Sequence, residues 1–260
     1  MRYLETPPRL IETHVFSTMP VAFRRKGVAT SWADANRPGQ ETDKDPDSFI
    51  EGPSFDAEGN LYVVDIPFGR IFKIAPGGEW SLVIAYEGWP NGLKIAADGR
   101  ILVADYKHGL MELDAKAGRM QPLLTARNSE SFRGCNDLHP AAHGDIYFAD
   151  LGQTGLQDPS GRVYRLSPNG RLDCLIDTGI SPNGLALDSR ETVLFVAHAS
   201  LGHVFVFAPN GELIARIKSC AGPACRSGLH ECRDRRQEQR PALCHGVGDP
   251  HGTGRGHQCS

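Results

Sequence analysis

The sequence predicts an all-β protein, specifically a β-propeller of four-stranded antiparallel blades, and three observations lead there. Glycine (29) and proline (18) are plentiful in the 260 residues while aromatics make up 8%, and no segment sustains an apolar stripe at helical spacing. Such a composition favours short strands joined by tight turns. Apolar runs closing on a polar residue recur at Leu61–Asp65, Ile101–Asp105, Ile146–Asp150 and residues 193–198, with the closing positions 40, 45 and 48 residues apart. A period of that length, holding several strands, is that of propeller blades stacked around an axis. Turn signals separate the runs at Asp56-Ala57-Glu58-Gly59-Asn60, Ala97-Asp98-Gly99 and Pro209-Asn210-Gly211, where glycine accepts the positive φ of a tight hairpin.

Taken in order, residues 1–48 hold short apolar pieces (Leu10-Ile11, Val15-Phe16, Val21-Ala22-Phe23) around Arg24, Arg25 and Lys26. These predict one or two strands, followed by a solvated polar loop over 34–47. The repeat begins at Phe49 and runs to about residue 218. Its first unit divides into an innermost strand over 48–55, a turn over 56–60 and a second strand over 61–65. A third strand over 70–74 and a fourth over 82–86 complete it.

From 219 to 260 the alternation stops: the segment has no Ile, Phe, Tyr or Trp and is dominated by Arg, Gly, His and Cys. It lacks the apolar surface needed to offset ordering entropy and is expected to be low in order. A zinc site through Cys225, His230, Cys232, Cys244 and His245 is disfavoured, because their spacings match no standard ligand pattern. Five of the seven cysteines lie in this tail, leaving Cys135 and Cys174 in the body, so no disulfide framework holds the fold and a reducing, cytoplasmic compartment is expected. The formal charge of −3 divides into a tail at +2 (six Arg against four acids) and a body at −5. An acidic body argues against nucleic acid as a partner. No apolar stretch is long enough for a membrane span, and the first residues lack the apolar core of an export signal.

In a propeller the innermost strands line a central channel, and polar residues at their channel-facing ends find no apolar partner. Aligning the units places four such residues together: Glu51 before Gly52-Pro53, Asn91 before Gly92-Leu93, Asn136 before Asp137-Leu138 and Asn183 before Gly184-Leu185. One carboxylate and several amide oxygens converging on an axis form an oxygen-only cage suited to a hard cation such as Ca²⁺. Taken singly, Pro-Asn-Gly is equally well explained as turn chemistry; the register shared with Glu51 favours the cage. His139, His143, His198 and His203 are read as ordinary strand and turn residues.

Ile50-Glu51-Gly52-Pro53, Arg133-Gly134-Cys135-Asn136-Asp137-Leu138 and Ser181-Pro182-Asn183-Gly184-Leu185 resemble the motifs of the senescence marker protein (regucalcin), gluconolactonase and luciferin-regenerating enzyme group. These are calcium-dependent lactonases on a six-bladed propeller. The resemblance covers residues 49 to 197. It implies Glu51, Asn136 and Asn183 as metal ligands, with Ca²⁺ the expected ion and Zn²⁺ or Mg²⁺ as alternatives. It also implies Arg133 as a substrate contact, although Arg133 stands one residue further from its Asn than the family pattern places it. By the same resemblance Asn91 would be a channel residue that contacts the substrate and not a ligand. The implied chemistry is hydrolysis of a small-molecule lactone or related ester, with the ion polarising the carbonyl and a carboxylate taking a proton from water.

Two departures accompany the resemblance. The family's Pro-Asp-Gly unit, whose Asp serves as a fourth ligand and base, has no counterpart, and residues 193–197 run directly into 198–207 as though one blade had been deleted between them. The 219–260 segment then stands in place of the closing strands. An incomplete ring and an impaired site are the expected result. The rival reading is a non-catalytic calcium-binding or protein-interaction scaffold.

Overall fold

The computed structural model describes residues 11–36 and 46–218. The all-β expectation holds: four antiparallel four-stranded sheets are arranged as blades of a β-propeller. The first blade is β1 (Ile50–Phe55), β2 (Leu61–Asp65), β3 (Arg70–Ile74) and β4 (Trp80–Ala85). The second is β5 (Pro90–Ile95), β6 (Ile101–Asp105), β7 (Gly109–Asp114) and β8 (Arg119–Leu124), and a two-stranded ribbon of β9 (Ala126–Arg127) and β10 (Glu130–Ser131) follows it. The third comprises β11 (Cys135–Pro140), β12 (Ile146–Asp150), β13 (Gly161–Leu166) and β14 (Leu172–Gly179). The fourth comprises β15 (Pro182–Leu187), β16 (Leu194–His198), β17 (His203–Phe207) and β18 (Leu213–Lys218). Within each blade the strands pair in sequence order, because short hairpins let each strand fold back on the last.

Blades adhere through the apolar faces that alternation creates. Tyr62, Val64 and Ile71 of the first blade meet Leu93, Val103 and Met111 of the second. Leu102, Ala104 and Leu110 then meet Leu138, Phe148 and Tyr164, and Tyr147, Ala149 and Val163 meet Leu185, Leu194 and Val196. The innermost strands follow one another around the axis, β1 against β5, β5 against β11 and β11 against β15.

The polar residues closing each second strand are all buried: Asp65, Asp105, Asp150 and His198. The three carboxylates hold backbone N–H groups of neighbouring loops. Asp65 accepts from Phe49 at 2.9 Å, Asp105 from Lys107 at 2.8 Å and Asp150 from Gly134 at 2.8 Å. Asp65 also carries the buried Arg70, whose Nε donates to it at 2.9 Å.

The N-terminal segment departs from expectation. In place of strands it forms a 3₁₀ turn at Val21–Phe23 and a helix, α1 (Ser31–Asn36), with no strand among its described residues. Its apolar pieces are used as a cover: Met19 and Phe23 pack on Val63, Phe72 and Ile74 on the open face of the first blade. Ser17 Oγ donates to the Gly78 carbonyl at 2.8 Å and accepts from Trp80 Nε1 at 2.9 Å. Asp34 of the expected polar loop lies within α1, Asp47 takes an ion pair from Arg24, and positions 37–45 fall outside the described residues.

The junction at Ala197 is not visible as an interruption. β16 and β17 pair in continuous register, and they are joined as β2 and β3 are, by one 3₁₀ turn and a left-handed glycine (Gly202 and Gly69). The disfavoured zinc alternative and the tail lie outside the described residues.

Candidate functional site

Each innermost strand is irregular at the same point. Pairing with the second strand shifts register between Glu51 and Ser54 in β1, and between Pro90 and Gly92 in β5. It shifts between Cys135 and Leu138 in β11 and between Pro182 and Leu185 in β15. A bulge releases its residues from the ladder and re-aims their side chains. The released residues here are Asn91, Asn136 with Asp137, and Asn183 with Gly184, while Glu51 stands at the edge of the bulge in β1. Pro90-Asn91-Gly92 and Pro182-Asn183-Gly184 are therefore strand segments, not turns.

The released residues meet on the axis, with Glu51 beside them. A small cavity of about 70 Å³ is lined by Gly52, Pro53, Asn91, Gly92, Lys94, Asn136, Asp137 and Asn183. Two glycines make the convergence possible. A Cβ on Gly52, whose φ is +57°, would lie 2.7 Å from the Asn91 carbonyl and the Leu93 nitrogen, and one on Gly92 would lie 2.7 Å from Asp137 Cα. Backbones can approach that closely only where no side chain intervenes.

Asn136 is buried, and Asn91 and Asn183 are half-buried. Glu51 stands exposed at the rim. Partial desolvation and then the nearby Asp137 carboxylate push its carboxyl above the usual range, partly offset by the Gly52 N–H. Asp137 Oδ2 accepts weakly from the Leu185 N–H at 3.4 Å, and Oδ1 lies 4.0 Å from Lys94 Nζ. Half-buried His139, further along β11, is held below its ordinary value by burial and then by Lys94.

Asp137 is the residue that alternation alone overlooks. A regular strand sends Asn136 and Asp137 to opposite faces, but the bulge brings both to the cavity. Arg133 is not brought there: it lies in the loop before β11, bonded to Ser160 and 3.5 Å from Asp158. His143 bridges Glu191 at 2.9 Å and Asp145 at 3.1 Å, joining the turns of the third and fourth blades.

The donor set fits a hard cation in kind. The Asp137 carboxylate lines the cavity with three amide side chains that can offer oxygens, and a second carboxylate, Glu51, stands near Asp137, with no thiolate or imidazole among the lining residues. Among the described residues no cluster of three or more His, Cys, Asp or Glu is placed to hold a metal, so any ion here would depend on the amides.

Comparison with known proteins accords with this geometry. The family profile described as "SMP-30/Gluconolactonase/LRE-like region" matches residues 49–208, more than half of the chain. The chain belongs to this family. It is 32% identical over 173 residues to a gluconolactonase of Zymomonas mobilis, a match covering 57% of this chain and 48% of the relative. It is 28% identical over 181 residues to lactonase drp35 of Staphylococcus aureus, covering 66% of this chain and 52% of the relative. The chain thus spans about half the length of the curated relatives it matches. Among solved structures, a gluconolactonase from Xanthomonas campestris superposes with a TM-score of 0.58 at 26% identity, covering 65% of this chain and 61% of that one. A regucalcin from Agrobacterium tumefaciens, at 21% identity and a TM-score of 0.52 over 64% of this chain and 57% of that one, shares the fold.

Proposed function

We propose that this chain is a lactonase-type hydrolase acting at the axial cavity on a small-molecule lactone or related ester. The supporting observation is the register shift repeated in all four innermost strands, which gathers Asn91, Asn136, Asp137 and Asn183 around one cavity, with exposed Glu51 next to its lining residue Gly52 and near Asp137. Glu51, Asn136 and Asn183 would hold a divalent cation, with Ca²⁺ the best match to all-oxygen donors and Mg²⁺ or Zn²⁺ as alternatives. A bound ion there would supply Lewis acidity toward a lactone carbonyl.

The chain's own residues supply the rest. Asp137, for which alternation gave no role, is the carboxylate available to take the proton of an attacking water and return it to the ring oxygen as the C–O bond opens, giving the hydroxy acid. Asn91 and Lys94 line the same cavity and orient the polar substrate. Arg133, engaged by Ser160 and Asp158, would contact substrate from outside the cavity. In this reading 49–218 is the working unit, 1–48 its N-terminal cover and 219–260 a tail outside it, in a reducing, cytoplasmic setting.

The competing scaffold reading draws on Lys94, whose ammonium lies 4.0 Å from Asp137 and competes with a cation for that carboxylate. Calcium titration together with hydrolysis of an aldonolactone panel decides between them. Calcium-dependent turnover, weakened in both affinity and rate by Glu51→Gln and lowered roughly 100-fold or more by Asp137→Asn, is the expected result. Calcium binding without turnover of any lactone would favour the scaffold. Unchanged affinity and rate in Glu51→Gln would remove the site assignment.

A further inference from the structure

Each innermost strand carries its bulge near its start and a tight turn after its end. In the third and fourth blades those turns are tied together, Glu191 accepting from the Ala142 N–H at 2.6 Å and from His143 Nδ1 at 2.9 Å. The corresponding turns of the first and second blades, at 56–60 and 96–100, instead border a groove of about 930 Å³. That volume lies toward the upper end of small-molecule sites.

Buried Tyr62, Ile101 and Leu113 and half-buried Ile95 line the groove, together with Phe55, whose ring is 65% exposed. The charge around these apolar walls is uneven, five of the lining side chains being carboxylates and two cations. Arg100 is already engaged by Asp98 at 2.8 Å and Glu112 at 3.9 Å. Asp56, Glu58 and Asp114 are left with Lys116 as the one further cation of the lining. Asp56 and Asp114 accept N–H groups of their own turns, from Asn60 at 2.8 Å and Ala117 at 2.9 Å. Neutral donors of that kind fix a carboxylate in place and leave its charge uncancelled.

Tyr62 registers that charge. Burial, and after it the carboxylates of Asp56 and Glu58, raise its phenol above the ordinary value, so the hydroxyl stays neutral at physiological pH within a negative field from the first blade. Such a field over aromatic and aliphatic walls complements a cation that carries an apolar body, because ring faces attract cations as carboxylates do.

We propose that the groove between the first and second blades binds an amphiphilic organic cation, a primary ammonium on a short aromatic body. The ammonium lies toward Asp56 and Glu58, and the ring lies against Phe55 and Tyr62. The site shares no lining residue with the axial cavity, and its occupancy does not depend on lactone hydrolysis.

The test uses the whole chain and three probes: phenethylammonium, its neutral counterpart 2-phenylethanol, and ethylammonium, which keeps the charge and lacks the ring. Calorimetry gives the affinities, and amide shifts of residues 56–60 and 96–100 locate the site. Phenethylammonium is expected to bind roughly fivefold or more tightly than either of the others at low salt, the scale of a partly exposed charge pair with a cation–ring contact. Added sodium chloride should narrow its advantage over 2-phenylethanol. Glu58→Gln should weaken phenethylammonium and leave 2-phenylethanol unchanged, whereas Phe55→Ser should weaken both. Both substitutions fall on exposed side chains, so melting should match the parent. Equal affinity of the parent for phenethylammonium and 2-phenylethanol overturns the proposal, as does no binding of phenethylammonium up to about 10 mM. So does a preference for the cation that Glu58→Gln leaves at its parent value.

Discussion

Gly92→Ala and Gly184→Ala, the same substitution at equivalent positions of the second and fourth innermost strands, should have very different consequences. A Cβ on Gly92 would lie 2.7 Å from both Cα and Oδ1 of Asp137 and 2.8 Å from the Asn136 carbonyl. Carbon contacts are comfortable only from about 3.5 Å, so the backbone of β11 would have to retreat by roughly 0.8 Å. Two of the three nearest atoms are main-chain, which a rotamer change cannot clear. Overpacking of that kind costs about 1–3 kcal/mol, or roughly 2–12 °C in melting temperature for a domain of this size. At Gly184 the nearest atom is Asp137 Oδ2 at 3.7 Å, an ordinary contact, and the change should lie within about 0.5 kcal/mol of the parent. Thermal and urea melts of the two variants measure the difference. Calcium titration should show Gly92→Ala weakened as well, because the displaced residues include Asn136. Equal melting of the two variants would refute the close approach of β5 and β11 on the axis, and with it the geometry of the cavity.

Removing Arg70 should be costly, since its guanidinium and the fully buried Asp65 lie together inside the first blade. Arg70→Met leaves that carboxylate buried with only Ser48 and Phe49 as donors, and urea melting should show a loss of about 3–5 kcal/mol. The His143 bridge should make stability depend on pH. Hydrogen bonds donated to Glu191 and then Asp145 raise its imidazole above the ordinary 6.5, so its contribution is complete below that value and lost as pH rises through the raised one. His143→Gln should flatten the stability profile just above pH 6.5. Glu191 has the opposite sign: the Ala142 N–H and then His143 lower it, so its contribution holds above the usual carboxylate range and disappears as acid titrates it through the lowered value. A profile of His143→Gln that matches the parent would exclude the bridge as a titrating contact in solution.

Much of this protein is legible in its sequence. Closing residues spaced 40, 45 and 48 apart determine four repeated units, because each apolar run must find a sheet and each sheet a neighbour to cover its second face. Glu51, Asn91, Asn136 and Asn183 could be aligned from the turns alone. The N-terminal pieces misled for a physical reason: Met19 and Phe23 are apolar because they cover the first blade, and a covering segment needs no period. Only tertiary structure decided the fate of Asp137 and Arg133. A register shift that brings two successive residues to one side defeats any period-two reading, and so the Asp137 carboxylate entered the cavity unannounced. Arg133 pairs with a loop residue distant in sequence, Asp158. Periodicity determines which face a residue takes within its own strand, whereas the meeting of side chains from four strands depends on how closely their backbones approach, which Gly52 and Gly92 decide in space.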